Sequence, residues 1–565
     1  MVNRLITIFY KEFTTINQAA ILLGLFTFFS QILALVRDRL LASQVGVGMT
    51  LDVYYAAFRI PDIVFALAAS LVSVTILIPF FTEAKTKDTD TDNRISQKFI
   101  QNVFSAFFIG MIVLSLVVAL LLPVLSPMIA PGFDAEQIRL LVQMSRIMLI
   151  SPILLGISNL FGTITQASKK FFVYAAAPVL YNFGIILGVI AFYPWFGPQG
   201  LVYGVILGAL LHMGLQVPVV IKEGYKVFFT MSIDWSSIRN IVAISLPRTF
   251  TLSVSKILIA VFVALASQIG SGSVSIFNFA WNLQNVPLAL IGMSFSVAAF
   301  PTLAQFFAQD DRENFLKQII APARQIIFWS IPVIVFFIVL RAHIVRVILG
   351  AGFFSWSDTR LTAAALALFV VSVAFQGLIL LLVRGYYAAG KTWRPLWITL
   401  CGAGVSMLAA FFLLHLFNTN ATFMLAVEKM LRVQGVPGTP VLMLALAYSI
   451  GEAIRFLIMY TWFKREFMQG YVTRLRVVFF QSAIASLCMG FVMYHSLQFF
   501  NMFFDINTFK GVFMQGFLSG VIGIAVLVIG LYMLGNQEIK ALIFALRDKG
   551  FWKIQTPETS KEEVL

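Results

Sequence analysis

Long apolar segments recur along the whole chain of 565 residues, and they constrain the fold more than any other feature. A helix needs about 20 apolar residues to cross the hydrocarbon core of a bilayer. Fourteen such segments begin near residues 19, 51, 99, 138, 171, 201, 242, 274, 319, 360, 395, 441, 477 and 512. They do not alternate apolar and polar residues as barrel strands do. The sequence therefore predicts an all-α polytopic membrane protein with fourteen transmembrane helices.

An octet occurs twice at about half the chain length. Residues 41–48 read LASQVGVG and residues 265–272 read LASQIGSG, with six of eight positions identical at a separation of 224. In both copies a second apolar segment follows the octet. Internal repeats within membrane-spanning sequence are typical of transporters, whose substrate sites lie between the repeats. The chain is therefore expected to form two lobes.

The repeat also predicts domain boundaries. The predicted segments are a cytoplasmic N-terminus (1–18), an N-lobe of six spans (19–221), a cytoplasmic linker (222–241), a C-lobe of six spans (242–463), two unpaired spans (477–534) and a cytoplasmic C-terminal tail (535–565). Because each lobe has an even number of spans, the lobes would share one orientation and be related by an axis along the membrane normal.

The net charge of +15 indicates how the chain is oriented in the membrane rather than a nucleic-acid partner. With the N-terminus inside, 25 of the 40 basic residues fall in inner loops and tails and nine in outer loops, which is the positive-inside pattern. Both termini are therefore predicted to be cytoplasmic. The basic residues assigned to the outer side include Arg341, Arg346, Arg360, Lys429 and Arg432.

Residues 385–392 read GYYAAGKT and match the phosphate-binding loop pattern. That pattern binds phosphate only between a buried strand and a helix, whereas here it ends an apolar span, so Gly390 is interpreted as a helix cap and Lys391 as an anchor. Cys401 and Cys488 lie inside apolar spans and are not placed for a disulfide or a metal site. No cofactor, metal or ATP site is expected, so transport would be driven by an ion gradient, the membrane potential or substrate supply.

Ionisable side chains at membrane depth are costly and usually face a cavity or a partner. Arg248 and Lys256 lie eight residues apart on span seven, about 80° apart around the helix. Guanidinium and ammonium groups suit phosphate in a partly dehydrated cavity. The residues predicted from their depth to form a cationic substrate pocket are Arg37, Asp38, Arg39, Asp52, Arg59, Arg248 and Lys256.

Structural roles are the alternative for several of these side chains. Arg37 and Arg39 could snorkel to the outer surface. Arg59 could form an internal ion pair with Asp62 three residues later, and Arg248 could anchor the inner end of its span. A structural role is favoured for three further residues at depth, namely His212, Glu452 and Arg455.

Matched prolines interrupt the second and eighth spans. Pro61 and Pro79 lie in the second span, and Pro287 and Pro301 lie in the eighth. Proline removes a backbone hydrogen bond and kinks a helix. Because the prolines occur at corresponding places in both lobes, they are predicted to be hinges.

Several motifs carry a resemblance to a known family. They are RDRLLA from residue 37, DVYYAAFRIPD at 52–62, PGF at 131–133, GSVS at 272–275 and an LxxxPL pattern at 283–288. In these motifs the chain resembles the MurJ (MviN) family of lipid II flippases, which belongs to the multidrug/oligosaccharidyl-lipid/polysaccharide exporter superfamily. The likeness extends over nearly the whole chain.

The resemblance implies a transporter rather than an enzyme. Its substrate would be lipid II, a polyprenyl-pyrophosphate-linked peptidoglycan precursor, moved from the inner to the outer leaflet of the bacterial cytoplasmic membrane by alternating access. It implies a central cationic cavity for the pyrophosphate and a groove at the last two spans for the polyprenyl tail. The implied partners are lipid II, membrane lipids and the cell-wall synthesis machinery.

The chain departs from the family pattern at three cavity positions. Gln31, Phe65 and Asn282 stand where the family often has arginine, and only Arg37 is clearly retained. The segments that follow the two octets are offset by 223, and aligning them places Asn282 of the second copy opposite Arg59 of the first. The predicted site is therefore asymmetric, with Asn282 lining the same cavity and the positive charge supplied by the first lobe and span seven.

Two other functions remain open. A cation-coupled multidrug or polysaccharide-lipid exporter of the same superfamily would need acidic cavity residues, for which Asp38, Asp52 and Asp62 are available. A membrane glycosyltransferase would need acidic catalytic residues in outer loops. The acidic residues assigned to those loops are scattered without a carboxylate pair, and they are Asp134, Glu136, Asp358, Glu428 and Asp505.

Overall fold

The structure, a computed structural model, describes residues 16–68, 74–88, 94–468 and 475–547. Every regular element in these ranges is helical. The helices are α1 (Ile16–Leu40), α2 (Met49–Ala57), α3 (Arg59–Ala68), α4 (Val74–Thr86), α5 (Arg94–Ile129), α6 (Ala135–Met148), α7 (Ile150–Ala167), α8 (Phe171–Leu187), α9 (Tyr193–Phe196), α10 (Pro198–Gly214), α11 (Val217–Lys222), α12 (Trp235–Ser267), α13 (Ser273–Pro287), α14 (Ser294–Ala308), α15 (Arg312–Leu349), α16 (Trp356–Val370), α17 (Ser372–Ala388), α18 (Trp393–Thr419), α19 (Ala421–Leu431), α20 (Val441–Phe467), α21 (Leu475–Phe500), α22 (Phe509–Met533) and α23 (Gln537–Arg547). Three π-helical turns occupy Leu41–Val45, Gly188–Phe192 and Leu288–Met293.

The all-α polytopic class predicted from the sequence is confirmed. Among the described residues, eleven helical segments are long and apolar enough to cross a bilayer, or twelve when the bent pair α16 and α17 is one span. These segments match the predicted spans from residue 99 onward. The first predicted span corresponds to α1, and the second to α2, α3 and α4, although residues 69–73 between α3 and α4 lie outside the described residues. The count of fourteen stays a prediction.

The chain divides into two compact units, Met1–Ser275 and Ile276–Leu565. The first unit contains α1 to α12 and the first turn of α13. Within it, α12 packs against α3, so predicted span seven is part of the first unit. In the second unit, α21 and α22 pack against each other and against α15. The predicted lobe boundaries themselves stay predictions.

The two units repeat one local design. In the first unit α6 and α7 meet at a break at Leu149, and in the second α16 and α17 meet at Val371 with a bend of 41°. Each pair begins with a capping box, at Asp134 in α6 and at Ser355 in α16. These boxes satisfy backbone N–H groups that a helix start leaves unpaired. The internal repeat therefore extends to helix breaks and caps.

A helix break accompanies Pro61 in the second span. This residue has no N–H group, so the carbonyl four residues earlier, at Ala57, lacks its helical donor. The Ser145 hydroxyl donates to that carbonyl at 3.4 Å, and the chain breaks between α2 and α3 at Phe58. A neighbouring helix thus supplies the bond that proline removes, as membrane helices require.

The other matched prolines also lie at or inside helices. Pro287 ends α13 directly before the π-helical turn Leu288–Met293, while Pro79 and Pro301 lie within α4 and α14. A π-helical turn disrupts the regular hydrogen-bond ladder and often marks a functional position. The hinge role of the four prolines stays a prediction.

The repeated octets meet in the first unit. A Cβ atom at Gly272, where φ is +88°, would lie 2.6 Å from Cγ1 of Val47, so only glycine fits there. The amide of Gly132 in the PGF motif donates to the Ser267 hydroxyl at 3.1 Å. Three of the sequence motifs therefore form one packed region.

The phosphate-loop pattern is a helix cap, as predicted. Gly390 follows α17 with a φ of +70°, and the Lys391 amide donates to the Tyr386 carbonyl at 2.9 Å. The Lys391 ammonium binds the Glu466 carboxylate and lies 5.0 Å from the ring centroid of Phe467. The segment joins two helices and does not follow a strand.

Candidate functional site

Arg37 lies in the last turn of α1 and forms the best-defined cationic contact of the first unit. Its Nε and Nη2 atoms lie 2.9 and 2.8 Å from Oδ1 of Asp38, which is buried. Its Nη1 donates to Oδ1 of Asn182 at 3.2 Å. A guanidinium has five N–H donors, so this arrangement engages three and orients the group. The Arg37 side chain retains 20% exposure, which leaves it accessible to a ligand.

Asn182 is a site residue that the sequence reasoning missed. It lies on α8, which packs against α1. Its amide nitrogen donates to the Ser30 hydroxyl at 3.1 Å and to the Pro178 carbonyl at 3.3 Å. These contacts fix the amide oxygen toward Arg37. A polar amide within an otherwise apolar span was the signal that could have identified it.

Two tyrosines lie between Arg37 and Arg59. Tyr54 and Tyr55 on α2 are buried, with ring centroids 5.6 Å apart, and both lie near the Arg37 guanidinium. The Nε atom of Arg59 donates to the Tyr55 carbonyl at 3.2 Å. The tyrosine pair therefore joins the two arginines into one polar region.

An ion pair links α3 to α12, the helix that contains predicted span seven. Nζ of Lys256 lies 3.1 Å from Oδ2 of Asp62, and the two side chains remain 46% and 35% exposed. Tyr181 on α8 lies near both Asp62 and Arg37. The structure thus brings together a cationic cluster, defined here as Arg37, Arg59 and Lys256 with their carboxylates Asp38 and Asp62.

Asp52 is hydrogen-bonded to the start of α13, and its predicted role in substrate binding stays a prediction. It is 1% exposed, and its carboxylate accepts hydrogen bonds from the amides of Gly272 and Ser275 at 2.6 and 2.7 Å and from the Ser275 hydroxyl at 2.5 Å. The acceptor lies at the start of α13, where unpaired N–H groups and the helix dipole favour a negative charge. This geometry favours a structural role over direct contact with a substrate.

The other predicted binding residues do not belong to the cationic cluster. Arg39 lies on α1 and Arg248 on α12, and both are half-buried. Asn282 lies on the part of α13 that belongs to the second compact unit, and it is also half-buried. Their participation in substrate binding stays a prediction.

The residues interpreted as structural have the expected partners. Arg455 binds Glu452 at 3.1 Å and also donates to the Thr399 hydroxyl at 3.1 Å. In the first unit, Nδ1 of His212 lies 2.7 Å from the Ser158 hydroxyl. The i, i+3 pair of Glu452 and Arg455 is therefore confirmed, and His212 is a hydrogen-bonded packing residue.

An apolar cleft of about 460 Å³ lies in the second unit between α15, α17, α20 and α21. Its wall is formed by aliphatic and aromatic side chains, including Ile320, Leu381, Phe456 and Phe479. Among the described residues, Arg476 is the one cation that lines it. A long hydrocarbon chain carrying a negative headgroup matches this combination.

Several of the acidic residues predicted to lie in outer loops have local structural partners. Asp134 and Asp358 accept backbone hydrogen bonds in capping boxes, and Glu428 accepts a hydrogen bond from the Thr439 hydroxyl at 2.8 Å. Asp505 accepts from the amide of Asn507 at 2.9 Å. Across the described ranges, no group of three His, Cys, Asp or Glu side chains could hold a metal ion.

Comparisons with known proteins agree on one family. Residues 41–517 match the family described as "Lipid II flippase MurJ". The chain is 23% identical over 511 residues to a probable lipid II flippase MurJ of Buchnera aphidicola subsp. Acyrthosiphon pisum, covering 88% of this chain and 94% of that one.

Two solved structures are similar in fold. A lipid II flippase MurJ in an inward closed conformation aligns with a TM-score of 0.71 at 22% identity, covering 93% of this chain and all of that one. An inward-facing multidrug resistance MATE transporter of the MOP superfamily aligns with a TM-score of 0.63 at 16% identity, covering 78% of this chain and 95% of that one.

Proposed function

The chain belongs to the MurJ family of lipid II flippases, and we propose that it moves lipid II across the cytoplasmic membrane by alternating access. The observation that carries the site assignment is the cationic cluster of the first unit, where Arg37 is oriented by Asp38 and Asn182. Lipid II carries a pyrophosphate, which needs cationic partners away from bulk water. The chain would act as a transporter without chemical change to its substrate.

The cluster suits a pyrophosphate for two reasons. Arg37 keeps part of its planar fork of donors available, and guanidinium groups bind phosphate oxygens through paired hydrogen bonds. Lys256 forms an exposed ion pair with Asp62, and such a pair is worth less than about 1 kcal/mol. An incoming phosphate would therefore take over Lys256 from Asp62 at little cost, while Arg37 stays fixed.

The apolar cleft between α15, α17, α20 and α21 would hold part of the polyprenyl tail. Burial of apolar surface favours such a tail by roughly 25 cal/mol per Å². The first two turns of α21 form one wall of the cleft, through Leu475, Arg476, Phe479 and Phe480. This agrees with the predicted tail groove for span thirteen, and the role of span fourteen stays a prediction.

The orientation of the chain is part of the proposal. The excess of basic residues in one set of loops supports a cytoplasmic location for both termini. Lipid II is made on that side, so the cationic cluster would receive it from the inner leaflet. An ion gradient, the membrane potential or substrate supply would drive the transport.

A cation-coupled exporter is a weaker second candidate, although the fold of a MATE transporter is similar. Such an exporter needs a carboxylate that can exchange cations. Asp38 is paired with Arg37, Asp52 accepts three hydrogen bonds and Asp62 is paired with Lys256. Of the three, only Asp62 is exposed enough to exchange its partner.

Changing the two members of the exposed ion pair separates their roles. We expect Lys256→Gln to reduce lipid II flipping about 10-fold, because a charge-assisted hydrogen bond to phosphate contributes about 1.5–3 kcal/mol. Asp62→Asn should keep flipping within about twofold, since it releases Lys256 without removing it. Flipping by purified protein in vesicles is the measurement. Equal losses of flipping in both variants would show that flipping depends on the ion pair itself and not on a contact between Lys256 and phosphate.

Depletion in the source cell tests the function itself. When the protein is depleted, lipid II should accumulate in the inner leaflet while its synthesis continues. The leaflet distribution is measured with an impermeant reagent that modifies only outer-leaflet lipid II. An unchanged distribution in depleted cells that have no second flippase would exclude the proposal.

A further inference from the structure

A second polar cavity lies in the second compact unit, apart from the cationic cluster. Its volume is about 670 Å³, and it is lined by residues of α15, α16, α19, α21 and α22. Three guanidinium groups line it, from Arg341, Arg360 and Arg432. All three arginines are predicted to lie on the outer side, and the proposed transport function does not use them. The imidazole of His343 and the amide of Gln515 line the same cavity, 3.0 Å from each other.

The three arginines have no carboxylate partner within the described part of the chain. Arg341 donates to its own helix, at the Ile338 carbonyl, at 2.8 Å. Arg360 donates to the Arg432 carbonyl at 2.7 and 3.0 Å. Arg432 donates to the Tyr494 hydroxyl at 3.1 Å. Each positive charge is therefore positioned without being neutralised.

Nearby acidic residues are engaged elsewhere. Asp358, two residues before Arg360, accepts hydrogen bonds from the backbone and hydroxyl of Ser355. Glu428, four residues before Arg432, accepts from the Thr439 hydroxyl at 2.8 Å. These contacts fix both carboxylates in capping or loop structure. They do not supply a counter-ion to the cavity.

Like charges within the cavity favour the binding of an anion. Arg341 and Arg432 are close enough to repel each other. Such repulsion raises the free energy of the empty cavity and is relieved when an anion binds between the charges. Arg341 engages one of its five donors, so its fork remains available for the paired hydrogen bonds that phosphate oxygens accept.

The surroundings of the cavity indicate a membrane interface. Trp356 and Tyr494 line it, and aromatic side chains of this kind are enriched where a membrane meets water. Phe499 and Phe503, at the end of α21 and just beyond it, are 52% and 67% exposed. The apolar residues Val339 and Leu497 line the cavity as well. A ligand with a charged head and an apolar part fits this lining.

We propose that this cavity binds a phosphate group at the outer surface of the membrane. The phosphate would belong either to the headgroup of an anionic phospholipid or to free phosphate or pyrophosphate in solution. The apolar lining favours the lipid. The proposal goes beyond the transport function, because the cavity uses none of the residues of the cationic cluster.

Binding to the purified full-length protein tests the proposal. The probes are dihexanoyl phosphatidylglycerol, inorganic pyrophosphate and, as the zwitterionic control, dihexanoyl phosphatidylcholine. We expect the double variant Arg341→Gln/Arg432→Gln to bind phosphatidylglycerol at least 10-fold more weakly than the unaltered chain. Lys429→Gln removes a positive charge that is predicted to be outer and does not line the cavity. The affinity of this variant for phosphatidylglycerol should stay within twofold of that of the unaltered chain.

The probes also distinguish the two sources of phosphate. Arginine-dependent binding of phosphatidylglycerol alone identifies a lipid headgroup, and arginine-dependent binding of pyrophosphate identifies a free ligand. Either result supports the cavity as a phosphate site. Arg341→Lys, which keeps the charge, should retain more affinity than Arg341→Gln if both fold. The proposal would be overturned if the double variant bound each ligand, phosphatidylglycerol and pyrophosphate, as tightly as the unaltered chain does. This holds whatever the outcome of transport assays.

Discussion

Replacing Arg37 with alanine is expected to reduce lipid II flipping about 100-fold, the largest loss at any residue of the cationic cluster. Such a loss corresponds to about 2.7 kcal/mol of lost interaction. The guanidinium is held by Asp38 and Asn182, so it can bind phosphate without first being ordered. Alanine removes both the charge and the fork. Flipping by purified variants in vesicles is the measurement.

The same substitution should also destabilise the protein, and a double variant separates the two effects. Arg37→Ala leaves the buried Asp38 carboxylate without its counter-ion, which costs about 3–5 kcal/mol. Arg37→Ala/Asp38→Ala removes both charges, so most of the stability should return. Flipping should stay low in both variants.

Arg146→Ala is the matched control. Arg146 is also at membrane depth, and it donates to the Ala119 carbonyl at 3.2 Å outside the cluster. We expect the Arg146→Ala variant to flip lipid II at a rate within about twofold of that of the unaltered chain. If the double variant regained flipping together with stability, Arg37 would be a structural residue and the assignment of the cluster would be wrong.

Replacing Asp52 with alanine is expected to cause a large loss of stability. It would leave two buried backbone N–H groups, at Gly272 and Ser275, and one hydroxyl without an acceptor. Unpaired buried donors cost about 1–3 kcal/mol each. The free energy of unfolding should therefore fall by about 3 kcal/mol or more. Thermal denaturation of purified variants in detergent measures the change.

Ser275→Ala is the control for this contact, because it removes only the hydroxyl donor. Its cost should be near 1 kcal/mol. Lipid II should bind the folded fraction of Asp52→Ala with unchanged affinity, since Asp52 caps α13 and does not belong to the cationic cluster. An Asp52→Ala variant as stable as Ser275→Ala, with weaker lipid II binding, would instead support the binding role predicted from the sequence.

The local features of the fold could be read from the sequence. Spans of about 20 apolar residues predict helices because bilayer thickness sets their length. Gly390 was identified as a helix cap because it follows an apolar span and precedes Lys391. Glu452 and Arg455 were identified as a pair because residues three apart share one helix face. These inferences rest on neighbours within a few residues.

Contacts between distant segments could not be predicted in the same way. Its depth in the membrane predicts that Asp52 lines the substrate cavity. Its hydrogen-bond donors lie at Gly272 and Ser275, and nothing near Asp52 in the sequence indicates them. Asn182 was missed for the same reason, since its contact with Arg37 joins α8 to α1. Depth in the membrane predicts that a polar residue has a partner, and only the packing of helices identifies that partner.

Reconstituted transport tests the central claim most directly. The purified full-length chain is placed in vesicles with fluorescent lipid II, and the fraction of lipid that crosses the bilayer is measured with an impermeant quencher. The unaltered chain should move lipid II, and Arg37→Ala/Asp38→Ala, which should be folded and equally abundant, should be about 100-fold slower. Equal rates in the two proteins, or no transport by the unaltered chain, would contradict the account.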